Sequence, residues 1–98
     1  MKAYVVSQID VRDPKRYAEY AARATQTVAA YGGRYLARNG AKHPLEGPVP
    51  DRRVVVMEFP SVEQAKAWHA SSAYQAIIDI RHSASTGNIF IIEGCEPA

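Results

Sequence analysis

Cysteine is nearly absent from this chain. Cys95 is the only one among 98 residues and stands three from the end, so no internal disulfide is possible. A small secreted chain usually needs such staples, which points to a reducing, cytoplasmic setting. A reactive thiol would need a cation or helix start beside it in sequence, and Cys95 has neither, so it reads as a tail residue without function. Long apolar runs are also missing. No stretch approaches the roughly 18 apolar residues of a spanning helix, and the run that starts at Ala3 is interrupted at Ser7 and Gln8, too soon for a signal peptide. There is no charge imbalance either. Twelve Lys and Arg against ten Asp and Glu leave +2, which argues against a nucleic-acid or anionic-membrane partner. Internal repeats, low-complexity tracts, C-x-x-C and H-x-x-x-H spacings are all lacking, so no metal site is expected. Gly32-Gly33 ends a helix, whereas phosphate cradles use helix starts.

What is present is ordinary globular composition, 47% apolar and 22% charged, in one expected domain over residues 1–98. Surface scaling gives about 5,500 Å² for the folded chain and about 65% of the unfolded surface buried, enough for one core. Residues 3–11 mix Tyr, Val and Ile with polar residues and read as a strand. Asp13-Pro14 starts a helix, with Asp as N-cap and Pro at the first helical position. Tyr17, Tyr20, Ala21, Ala24, Val28 and Tyr31 then recur at helical spacing over about 17 residues. Residues 34–39 read as a short strand, 40–52 as a Gly/Pro loop, and 53–59 as the clearest strand. Ser61 and Gln64 stand in capping-box spacing ahead of a helix. Ser71-Ser72 breaks it and caps another, Thr86-Gly87-Asn88 reads as a turn, and 89–93 forms a last strand.

The order β-α-β-β-α-α-β matches the split β-α-β, ferredoxin-like motif: an α+β fold whose four-stranded antiparallel sheet carries helices on one face. In the third strand both alternating sets are apolar, Val55, Met57 and Phe59 against Val54 and Val56; in the last, Ile89 and Ile91 stand against Phe90 and Ile92. One set needs the helices, and the other needs a partner. A second copy packed sheet to sheet is the economical one, giving a dimeric α+β barrel.

Tyr31-Gly32-Gly33-Arg34-Tyr35-Leu36, Leu45-Glu46-Gly47, Glu58-Phe59-Pro60-Ser61, Ala67-Trp68, Tyr74-Gln75, Arg81 and Glu93-Gly94 stand in this order. The ordered set resembles the bacterial family called domain of unknown function 1330, from about Lys2 to Gly94. The resemblance implies a ferredoxin-like subunit of the dimeric α+β barrel superfamily, which includes cofactor-free monooxygenases, isomerases and haem-handling proteins. The chain departs from the pattern at Asn39, where glycine is usual, at His69, where tyrosine is common, and at Ala73, where glutamate is common.

Arg38 and Glu58 are expected on neighbouring antiparallel strands as a cross-strand ion pair. They form either a substrate-binding arginine with a general base whose pKa burial has raised, or a pair that fixes register. Trp68 and Tyr74 are candidates to wall an apolar pocket, with Arg81 anchoring an acidic substrate, although Trp68 alone suits plain core and Arg81 suits the end of its helix. His43 falls in the loop. His69 and His82 are further candidates to move a proton, and Ser83 or Ser85 beside His82 makes a weak nucleophile pair. The expected protein is a homodimer without a cofactor that binds a small anionic or aromatic organic metabolite. It could be an enzyme of the cofactor-independent monooxygenase or isomerase kind; the alternative is a non-catalytic dimeric binding or stress-associated module.

Overall fold

Seven elements follow one another in the expected order in the computed structural model, which describes residues 1–96; the last two residues of the expected domain lie outside it. They are β1 (Ala3–Val11), α1 (Pro14–Ala30), β2 (Arg34–Arg38), β3 (Arg53–Phe59), α2 (Val62–Ala70), α3 (Ser72–Ala84) and β4 (Ser85–Glu93). The helix starts follow the expected caps. Asp13 Oδ1 accepts from the Arg16 amide at 3.1 Å, Ser61 Oγ from Gln64 at 3.1 Å, and Ser71 Oγ from Tyr74 at 3.2 Å.

The sheet runs β2-β3-β1-β4, with every neighbouring pair antiparallel. Ala3, Val5, Ser7 and Ile9 of β1 share the buried face with Val55, Met57 and Phe59 of β3. All three helices lie on that side. Their buried residues include Tyr17, Tyr20, Ala24 and Val28 of α1, Trp68 of α2, and Tyr74 and Ile77 of α3.

Among the described residues, no layer covers the opposite face. Pairing register lines up Ala37, Val56, Val6 and Phe90 across it in one row, and Arg34, Glu58, Tyr4 and Ile92 in another. Phe90 and Ile92 remain 45% and 53% exposed. The total accessible surface of 6287 Å² exceeds the roughly 5,500 Å² expected for a self-contained globule of this mass.

Two local expectations are corrected. Thr86-Gly87-Asn88 is strand, not turn, so β4 starts four residues earlier than expected and follows α3 without a connecting residue. Gly87 is there for closeness: its φ is +150°, and a Cβ would overlap the Gln8 carbonyl oxygen of β1. Register also shifts between Tyr35 and Ala37, a bulge that turns the end of β2 over. After it, Asn39 takes φ +56°, a left-handed conformation that Asn tolerates and Gly adopts freely.

Candidate functional site

The bulge decides which side of the sheet Arg38 serves. By simple alternation it would share a face with Leu36 and meet Glu58. Instead Arg38 pairs in register with Val55 on the helix side, while Glu58 stands opposite Arg34 on the open side. The expected Arg38–Glu58 ion pair therefore does not form. Arg38 Nη2 donates to the Ala21 carbonyl at 3.2 Å and to Thr25 Oγ1 at 3.1 Å, and its guanidinium lies 4.3 Å from the Tyr35 ring centre.

Glu58 Oε1 is 3.0 Å from Arg34 Nε and 3.4 Å from Lys2 Nζ. Partial burial alone would push its carboxyl up, but hydrogen bonds and charge from the two cations hold it below the usual carboxylate range. This is the reverse of the burial-raised base expected from sequence.

On the helix side, a cavity of about 30 Å³ lies between α1 and the sheet, with room for only one or two water-sized atoms. Its floor is the register row Arg38, Val55, Ser7 and Ile89, with Arg53 and Ile9 alongside. Tyr17 and Tyr20 of α1, Tyr35 of β2, Trp68 of α2 and Arg81 of α3 complete the wall. Arg38, Trp68 and Arg81, three of the expected binding residues, thus meet at one void. Tyr74 stands directly behind it, its hydroxyl 2.7 Å from that of Tyr20 and its ring 4.3 Å from Trp68.

Trp68 is 1% exposed and packs against Phe59 as core, while its Nε1 donates to Thr27 Oγ1 at 3.0 Å. It is both core and wall. Arg81 is 8% exposed, and its Nη2 lies 3.3 Å from His82 Nε2. The Nε atoms of Arg53 and Arg81 are buried without a hydrogen-bond partner. Leaving a charged donor unpaired at a buried position is costly, and both residues belong to the cavity wall.

A larger open cleft of about 620 Å³ shares Ile9, Tyr17, Ala21 and Arg53 with the cavity, and continues past Pro14 and Ala18 to Asp10, Asn39 and Asp51. Arg53 stands between the two with its guanidinium 5.3 Å from the Tyr17 ring centre. Asp10 on the cleft wall is engaged by Arg52 at 3.2 Å.

The other candidates lie elsewhere. His69 and His82 line a separate outer cleft that also touches Arg81. Burial, then the charges of Arg81 and His82, push His69 below the usual imidazole range. Ser83 is engaged by Arg16 Nε at 2.6 Å, and Ser85 Oγ donates to the Arg81 carbonyl at 2.6 Å. His43 is exposed in the loop. Among the described residues, no group of three or more His, Cys, Asp or Glu side chains gathers that could hold a metal ion, and no helix is long and apolar enough to cross a membrane.

The cavity also recruits residues that sequence reasoning passed over: Ser7, Arg53, Tyr17, Tyr20 and Tyr35. For two of them a signal was present. Ser7 and Arg53 are the polar members of strand faces otherwise filled by Ala, Val, Ile, Met and Phe.

Residues 2–95 match the family model described as domain of unknown function DUF1330. No curated protein matches the chain in sequence. Among solved structures, a protein of unknown function from Rhodopseudomonas palustris, RPA0582, is similar with a TM-score of 0.78 at 17% identity, covering 98% of this chain and 84% of that one. SnoaB, a cofactor-independent oxygenase from Streptomyces nogalater, gives 0.70 at 12% identity over 98% and 95% of the two chains. A putative antibiotic biosynthesis monooxygenase from Chloroflexus aurantiacus J-10-fl gives 0.62 at 14% identity over 100% and 97%. At these identities the likeness is one of fold.

Proposed function

The chain belongs to the DUF1330 family, and from that footing we propose that it is a homodimeric binding protein for a small anionic or aromatic organic metabolite, held in each subunit between α1 and the sheet. One observation supports the reading: a small void beneath α1, lined by Arg38, Trp68 and Arg81 and sharing Arg53 and Tyr17 with a larger cleft. In this reading Arg38 and Arg81 orient the ligand, while Trp68 and Tyr74 keep water from its far end. The void itself is small, so the cleft receives the bulk of the molecule.

The dimer is supported by the uncovered apolar row Ala37, Val56, Val6 and Phe90, by the exposed Ile92 beside it, and by the excess surface of the single chain. A catalytic version, an oxygenase that uses no cofactor, draws support from SnoaB, which shares the fold. A thermal-shift screen of small organic acids, aromatics and haem tests the binding reading, with Arg38→Ala and Arg81→Ala alongside. Ligands that raise the melting temperature of the natural chain, and raise it less in the variants, support it. If nothing in the panel moves the melting temperature, the reading fails.

A further inference from the structure

The cavity wall contains only one kind of polar chemistry. Arg38, Arg53 and Arg81 bring three positive charges to it, and Ser7, Tyr17, Tyr20 and Tyr35 bring hydroxyls. It contains no Asp, Glu or His. Buried cations normally sit against carboxylates, and here the carboxylates are elsewhere: Glu58 is on the opposite sheet face, and Asp10 and Asp51 are on the outer cleft. Arg38 spends donors on the Ala21 carbonyl and Thr25, but the Nε atoms of Arg53 and Arg81 meet nothing.

We infer that the pocket takes a small monocarboxylic acid already in its ionised form, its carboxylate seated between Arg81 and Arg53 and its apolar or aromatic body lying in the cleft against Tyr17. This rests on the binding reading above and names the ligand class for the same pocket. A guanidinium fork matches the two oxygens of a carboxylate. A void of about 30 Å³ suits that planar head better than a bulkier tetrahedral oxyanion. Ile9, Val11, Pro14, Ala18 and Ala21 give the adjoining cleft the apolar wall that a carbon skeleton needs. Its outer part carries Asp10 and Asp51, which disfavour a second negative charge there and select against dicarboxylates. Three guanidiniums and no carboxylate face the head group, so the wall favours the ionised carboxylate over the neutral acid.

Titration calorimetry on the full chain at about pH 7.5, where benzoate and phenylacetate are ionised, tests this. The probes are benzoate, phenylacetate, benzamide, terephthalate and inorganic phosphate, in HEPES and in Tris. The monocarboxylates are expected to bind about tenfold or more tightly than benzamide, terephthalate and phosphate. Their binding enthalpy should be the same in both buffers, since no proton moves. Arg53→Gln and Arg81→Gln should each weaken benzoate by about tenfold, with Arg81→Lys retaining part of the affinity. Equal binding of benzamide, or a buffer-dependent enthalpy, overturns the inference while leaving a binding pocket in place. If the carboxylates fail to bind while neutral aromatics from the thermal-shift panel do, the inference is likewise overturned alone. Failure of every ligand in both experiments removes the binding reading and the inference together.

Discussion

The hydroxyls of Tyr20 and Tyr74 lie 2.7 Å apart, joining α1 to α3 across 54 residues of sequence inside the core. Burial, then the charge and hydrogen bond of Tyr74, hold Tyr20 far above the usual phenol range. Above the ordinary phenol value of about 10 the unfolded chain loses this proton and the folded one keeps it, so stability falls as pH rises. Urea melts between about pH 9 and 11 should show that fall, and Tyr20→Phe should flatten it. At neutral pH, Tyr20→Phe or Tyr74→Phe alone should cost about 1–3 kcal/mol, because a buried hydroxyl is stranded. The double variant should cost less than the sum. Strictly additive losses would show that the two hydroxyls do not interact.

His69 makes the opposite prediction on the acid side. Burial and the charges of Arg81 and His82 depress its pKa, so below about 6.5 the unfolded chain takes up a proton that the folded one refuses. Stability is therefore present above that value and falls as pH drops through it. The denaturant midpoint should decline from about pH 7 to 5, and His69→Gln should decline less. Parallel curves for the two proteins would dispose of the argument.

Gly87→Ala should be among the most damaging single changes. The new Cβ meets the Gln8 carbonyl oxygen, and the backbone sits at φ +150°. A loss on the order of 3 kcal/mol is expected, seen as a large drop in melting temperature. Gly40→Ala, where a Cβ has open space, is the control and should change little.

The uncovered sheet face should respond to charge. Phe90→Lys with Ile92→Glu removes the two most exposed apolar side chains of β4 without touching the helix side. Light scattering at micromolar concentration should give twice the 10.8 kDa chain mass for the natural protein and a single chain for the variant. A natural protein that scatters as one chain would falsify the homodimer.

Much of this fold was legible because local signals agreed with one another. Asp13, Ser61 and Ser71 cap the helices they were expected to cap, whereas apolar residues on both faces of β3 left open which set the helices cover. Arg38 was misassigned for a physical reason. Strand alternation assumes an unbroken pleat, and the register shift after Tyr35 breaks it without a glycine or proline to announce the place. Gly87 misled in the other direction, since a glycine between Thr and Asn looks like a turn until the neighbouring strand's carbonyl is in view. The cavity was only half visible. Arg81 and Trp68 could be singled out as large polar-tipped residues on helices, but that Arg53, 28 residues before Arg81, shares a void with it depends on packing between layers, which no spacing rule encodes.

The direct passage from α3 into β4 bears on the wall of the proposed pocket. The Arg12 and Asp13 amides both donate to the Ala84 carbonyl, at 2.8 and 3.0 Å, and the Ser85 hydroxyl holds the carbonyl of Arg81 itself. Arg81 is thus mounted on a junction with no spare chain, held by the link between β1 and α1. On the far side of the cleft, Asn39 and Asp51 belong to residues 39–52, the connection between β2 and β3. On the binding reading proposed above, a guest molecule would meet the loop on one side of the cleft and the anchored Arg81 on the other.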